Sequence, residues 1–150
     1  MTPPFEPRDP DFERRVRESF ARQPAMATLG IEIAAVVPGR VELTMPFTEA
    51  LTQQHGFIHA GVLTTALDSA CGYAALSLMD AEAAVLTVEF KANLLAPAKG
   101  AAFRFRADVV KPGRTLTVCD AIAFADGGET PLATMTATLM AVRDRAGLSG

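Results

Sequence analysis

Only two cysteines occur in this chain, Cys71 and Cys119, and both sit inside apolar runs. That excludes a disulfide framework as the source of stability, and a reducing compartment is the simpler expectation. The opening residues, Met1-Thr2-Pro3-Pro4-Phe5-Glu6-Pro7, lack the basic start and apolar core of a secretory signal. The longest apolar stretch, around residues 62–79, is interrupted by Asp68 and by several Ser and Thr. It makes a poor membrane span and a good buried helix. Basic residues are scattered and the net charge is only −3, so neither nucleic acid nor an anionic membrane is an expected partner. Repeats, low-complexity tracts and internal linkers are missing too. So are the Gly-x-Ser-x-Gly, phosphate-loop and dinucleotide fingerprints. What is present, 49% apolar and 21% charged residues over 150 positions, suits one cytoplasmic globular domain. Residues 1–150 are therefore taken as a single domain, with 1–8 a flexible N-terminal segment.

The order of elements follows from periodicity and punctuation. Asp9-Pro10-Asp11 reads as a helix start, and Phe12, Val16 and Phe20 give a short amphipathic helix that Pro24 ends. The runs 31–37 and 40–47 meet at Pro38-Gly39 as a hairpin. Residues 59–79 are apolar almost all round and too long for a strand, which predicts a helix enclosed by other structure. Beyond it, Leu86, Val88, Phe90, Ala92 and Leu94 alternate with Thr87, Glu89, Lys91 and Asn93. Phe103, Phe105, Ala107 and Val109 alternate with Arg104, Arg106 and Asp108 in the same way. Both predict half-buried antiparallel strands with one polar face. Turns at Pro112-Gly113 and Asp126-Gly127-Gly128 and a strand over 134–142 complete the pattern. One antiparallel sheet curled around a central helix satisfies this order, in the α+β class.

Asp68 stands out chemically. It lies in the middle of the apolar helix, and no Lys or Arg occurs between Arg40 and Lys91. Burying a carboxylate without a partner is costly, and such a cost is often tied to function; a cation arriving from another strand is the alternative. The approach to the helix, Gln53-Gln54-His55-Gly56-Phe57-Ile58-His59-Ala60-Gly61, is polar and contains glycine. Free N–H groups at such a helix start can hold a carbonyl oxygen as it gains negative charge. Asp68 follows His59 by nine residues, about two and a half turns, which is too far for both ends to meet one carbon within a subunit. A site that uses both needs two chains.

Residues 53–68 resemble the active-site segment of the PaaI-like hot-dog thioesterases. That pattern has an Asn or Gln, then His-Gly-Gly at the helix start, then an acid nine residues after the His. The resemblance extends from Leu29-Gly30-Ile31 through the segment Thr87 to Ala98 and on to Lys111-Pro112-Gly113-Arg114-Thr115. It implies a hot-dog fold and hydrolysis of acyl-CoA thioesters without a metal or prosthetic group. By the same resemblance Asp68 is the general base or nucleophile, and the Ala60 amide beside His59 lies in the oxyanion hole. Gln53 matches the amide side chain near the thioester, and Thr87 a hydroxyl that positions water. Gly61, Gly113 and Arg114 fall on the substrate-binding side, with the Arg114 guanidinium suited to CoA phosphates. The family forms dimers, commonly paired into tetramers, that share each site between subunits. His-Ala-Gly replaces His-Gly-Gly here, and the Ala60 methyl narrows the approach of the carbonyl.

Other readings were weighed against this one. His55 and His59 have metal-like spacing, but Gly56 and the loop context speak against a ligand pair, so no metal is expected. Cys71 reads as core, not nucleophile. A hot-dog hydratase needs an acid just before the histidine, where Gln53 and Gln54 stand. A non-catalytic acyl-CoA or acyl-carrier binding protein gains nothing from Asp68.

Overall fold

Asp9 begins the first helix by a turn, not by capping it. Its side chain accepts the Asp11 N–H at 2.9 Å and its carbonyl accepts the Phe12 N–H at 3.2 Å. Helix α1 (Phe12–Ala21) then buries Val16 on its apolar stripe. Pro24 does more than end α1: it opens a second helix, α2 (Pro24–Leu29), at the first-turn position where proline costs nothing. The sequence reading had no helix there. Gly30, left-handed at φ 72°, closes it. The computed structural model describes residues 5–150. Of the segment 1–8 expected to be flexible, residues 1–4 lie outside the described residues, and Phe5 packs against the core.

Strands β1 (Glu32–Val37) and β2 (Arg40–Pro46) form the expected hairpin, with Gly39 at φ 78°. The central helix α3 runs over Ala60–Leu76, followed by β3 (Ala84–Leu94), β4 (Ala102–Lys111), β5 (Leu116–Ala125) and β6 (Pro131–Val142). All six strands join one antiparallel sheet in the order β1-β2-β4-β5-β6-β3. The sheet folds round α3. Leu43, Met45, Phe103, Phe105, Met135 and Leu139 are fully buried, as are Leu67, Ala70, Cys71 and Ala74 of the helix. The small residues on that helix face let the sheet approach closely, and each large apolar side chain buried there is worth about 1.5–3 kcal/mol.

The C-terminal end of α3 is satisfied from a distance. Arg15 of α1 donates to the carbonyls of Leu76 at 2.9 Å, Met79 at 2.8 Å and Asp80. Those carbonyls are the orphans every helix end leaves. Ser77 Oγ accepts the Gly39 N–H at 2.8 Å, which ties the hairpin to the same end. The opposite face of α3 is left uncovered: Gly61, Thr65, Asp68, Ser69 and Gly72 are partly or fully exposed at helical spacing. The enclosure predicted on all sides is therefore supplied by the sheet on one side only.

Strand β3 departs most from expectation. It pairs with β6 alone, so it is a sheet edge, and its apolar residues are exposed: Val88 53%, Phe90 43%, Leu94 56%. Its alternation also breaks. Thr87 pairs with Leu139 but Glu89 pairs with Thr138, so Val88 forms a bulge. Thr87 thereby faces α3, as do Phe90, Ala92 and Leu94, while Glu89, Lys91 and Asn93 face outward. Strand β4, in the sheet interior, keeps the predicted pattern, burying Phe103, Phe105, Ala107 and Val109.

Candidate active site

Asp68 occupies the middle of α3 on its uncovered face, half-buried and without an ion pair among the described residues. The bulge at Val88 turns Thr87 inward, and its hydroxyl donates to Asp68 Oδ1 at 2.8 Å. That fixes one carboxylate oxygen and leaves the other without a side-chain donor among the described residues. Asp68 and Thr87 line a cavity of about 140 Å³ that also includes Ser19, Gln23, Tyr73 and Val85. Ser149 and Gly150 also line it, and Arg22 donates to the Gly150 carbonyl at 2.9 Å.

The sequence reading missed Ser19, Gln23 and Tyr73. Tyr73 follows Asp68 by five residues on the same helix and is the single tyrosine of the chain, which was the available signal. Gln23 Nε2 donates to its hydroxyl oxygen at 3.0 Å, and Ser19 Oγ lies 3.3 Å away.

The second group lies at the start of α3. His59 is the N-cap, and its Nδ1 accepts the Gly61 N–H at 2.8 Å. That contact assigns the ring proton to Nε2 in the neutral imidazole. A Cβ on residue 61 would stand 3.1 Å from His59 Nδ1, so glycine gives the cap its room. With Gly61 engaged, the Ala60 N–H is left without an acceptor among the described residues. It sits where the helix dipole presents partial positive charge. Ala60, His59, Gln53 and Phe57 line a groove of about 490 Å³ with Leu63 and residues 94–98. The Gln53 side-chain oxygen accepts the His55 N–H, which shapes the loop.

These two groups do not meet within one chain. Asp68 and Thr87 open into one cavity, Gln53, His59 and Ala60 into the other. Gly113 and Arg114 join neither. Gly113 lines a third cavity with Ala75, Leu78 and Met79, about 22 Å along α3 from Ala60 at 1.5 Å per residue. Glycine is required there because a Cβ would fall 2.1 Å from the Leu116 carbonyl oxygen. Arg114 is exposed, and its carbonyl accepts from Arg143 at 2.9 Å.

Both cysteines are core. Burial pushes the Cys119 thiol up to about 12 and raises that of Cys71 as well, so neither is a nucleophile near neutral pH. No group of three metal-ligating side chains comes together among the described residues. No helix among them is long and apolar enough to cross a membrane.

An antiparallel sheet folded round one helix, with a carboxylate midway along that helix and a free amide at its start, is a hot-dog framework equipped for acyl transfer. The chain belongs to the thioesterase superfamily, whose pattern it matches over residues 55–132. It is a thioester hydrolase. It is 26% identical over 118 residues to the 1,4-dihydroxy-2-naphthoyl-CoA hydrolase of Listeria monocytogenes, covering 79% of this chain and 95% of that protein. The crystal structure of a thioesterase family protein from Silicibacter pomeroyi is similar at 67% identity and a TM-score of 0.85, covering 88% of this chain and 98% of that one. The E. coli PaaI protein, from the phenylacetic acid degradation operon, shares the fold at a TM-score of 0.81 and 20% identity, over 93% of this chain and 96% of that one. The PaaI-like hot-dog resemblance read from the motifs agrees with these likenesses.

Proposed function

We propose that the chain hydrolyses acyl-CoA thioesters at a site assembled from two copies of itself, with Asp68 as the general base. The observation that carries this reading is Asp68: an acid without an ion pair among the described residues, oriented by Thr87 at 2.8 Å, in the lining of a cavity. Water held against the open carboxylate oxygen gives its proton to Asp68 as it attacks the thioester carbon. The carbonyl oxygen becomes an oxyanion, stabilised by the Ala60 N–H and the positive end of α3. Collapse of the tetrahedral intermediate breaks the C–S bond, and the proton on Asp68 passes to the departing thiolate. His59 positions the Ala60 amide by capping the next one, and Gln53 lies in the same groove, beside the path of the thioester. The Listeria relative acts on a CoA thioester, which supports CoA as the thiol. Arg114, exposed and without an ion pair among the described residues, is available to its phosphates. The free thiols suit a reducing cytoplasm.

The exposed edge of β3 supports the two-chain arrangement. Its Thr87 end lies at the Asp68 cavity and its Leu94 end at the Ala60 groove. Pairing two copies of this edge strand antiparallel about a twofold axis near Phe90 and Lys91 sets Thr87 of one opposite Leu94 of the other. Asp68 of one subunit then approaches the Ala60 amide of its partner. The same pairing covers Val88, Phe90 and Leu94, an exposed apolar edge that a monomer would carry as an aggregation hazard. Dimers of this kind can pair again into tetramers.

Asp68→Asn keeps the shape and removes the base. Turnover of acyl-CoA is expected to fall about 10²–10⁴-fold with the thermal midpoint little changed. Hydrolysis by the variant at near the unsubstituted rate would overturn the assignment.

A further inference from the structure

The cavity beside Asp68 has a built floor that the hydrolytic mechanism does not use. Five residues beyond Asp68 on α3, about 7 Å along the helix, stands Tyr73. Its ring is 4% exposed and packs edge-on against Phe20, with centroids 5.6 Å apart. Its hydroxyl is gripped by Gln23 Nε2 at 3.0 Å and by Ser19 at 3.3 Å, and all three residues line the cavity. When Ser19 donates to the Tyr73 oxygen, the Tyr73 O–H is free to point into the cavity. Gln23 Oε1 has no donor among the described residues and is available as an acceptor. A core tyrosine needs no such arrangement, because one partner would satisfy it.

The size of the space decides what can use it. At about 140 Å³ it compares with a cavity of about 150 Å³, which holds one benzene ring. The CoA half of a thioester is far too large to enter, and the acyl half is the part of the substrate that fits. Val85 and Leu76 add apolar atoms to its lining.

We propose that the acyl group enters this cavity and meets the Tyr73–Gln23–Ser19 floor, so that the enzyme selects compact acyl groups with a hydrogen-bonding oxygen at the far end. Compact here means a single ring or about five carbons. This rests on Asp68 being the general base, since it places the thioester carbon at the cavity mouth. Tyr73 and Gln23 are then specificity-determining residues, not catalytic ones.

The test compares kcat/KM for pentanoyl-CoA, its terminally hydroxylated analogue and hexadecanoyl-CoA. The proteins are the unsubstituted enzyme, Tyr73→Phe, Gln23→Leu and Asp68→Asn. The enzyme is expected to favour the hydroxylated chain over the plain one by about 3- to 10-fold, the worth of one neutral hydrogen bond. Hexadecanoyl-CoA is expected to be the poorest of the three. Tyr73→Phe keeps the ring volume and should erase the preference. If Tyr73→Phe does not fold, Gln23→Leu carries the same comparison from the N-cap of α2. A preference that is absent in the enzyme, or that survives both substitutions, overturns the proposal, and so does hexadecanoyl-CoA as the best substrate. Those results leave the Asp68 reading standing as long as Asp68→Asn is inactive on all three. An active Asp68→Asn overturns the Asp68 reading and, with it, this one.

Discussion

The two halves of the site differ in how finished each is within one chain. The Asp68 half is built inward: a half-buried carboxylate, a hydroxyl bond from Thr87 and a small cavity of about 140 Å³ with Ser19, Gln23 and Tyr73 in its lining. The Ala60 half is built outward: a groove of about 490 Å³ bordered by residues 94–98, with one amide that nothing among the described residues uses. On the proposed mechanism the first half supplies the base and the second the oxyanion donor. Strand β3 runs between them with an exposed apolar edge, and the proposed pairing would complete both halves and cover that edge at once.

The contrast can be broken from the Ala60 side by removing one N–H. Ala60 is the first residue of α3, and His59 before it has φ −59° and ψ 137°. Proline is tolerated at that position, and the preceding residue already has the extended geometry that proline demands. Ala60→Pro should therefore fold normally and lower kcat by about 10²–10³-fold, the usual cost of one oxyanion donor. A variant with intact turnover would show that the oxyanion is held elsewhere.

The bridge between the halves is broken by charge. Phe90 is 43% exposed in the single chain and takes Lys there without burying it. In the twofold pairing, Phe90→Lys replaces an apolar side chain of the covered edge by a cation on the α3 side in each subunit, and burying such charges without partners is costly. Sedimentation should show smaller species, and activity should fall with assembly, by about 10-fold or more at dilute protein. An unchanged mass would place the interface on another surface.

The His59 cap sharpens the comparison with a smaller effect. His59→Ala removes the acceptor for the Gly61 N–H, and loss of an N-cap costs about 0.5–2 kcal/mol in urea unfolding. An unchanged midpoint would mean that the cap contributes nothing to the helix start. Smallest of all, Ala60→Gly keeps the amide and removes the methyl. It should cost less than about 1 kcal/mol and broaden the range of accepted acyl groups. An unchanged ratio of kcat/KM between a branched and a linear thioester would make Ala60 neutral for specificity.

How far the sequence was legible depended on neighbours. Strand β4 alternates in sequence and in structure because strands flank it on both sides. Strand β3 alternates in sequence too, but its place at the edge and its bulge at Val88 are set by β6, nine-tenths of the way down the chain. No local pattern places Thr87 inward; the register with Leu139 does. Helix α2 was hidden because Pro24 reads equally as a stop and as a first-turn residue. Asp68 was legible for the opposite reason: its isolation from Lys and Arg is a property of the sequence itself. The polar floor at Tyr73 was not, since Ser19 and Gln23 reach it from another element.

The central claim is that each site draws Asp68 from one subunit and the Ala60 amide from the other. Co-expressing Asp68→Asn chains with Ala60→Pro chains and assaying the purified mixture tests this directly. Each mixed dimer then contains one site with both defects and one with neither. Random pairing makes half the dimers mixed, so about a quarter of unsubstituted activity should return, although each variant alone is nearly inactive. Activity in the mixture no greater than the average of the two variants alone would contradict the shared site.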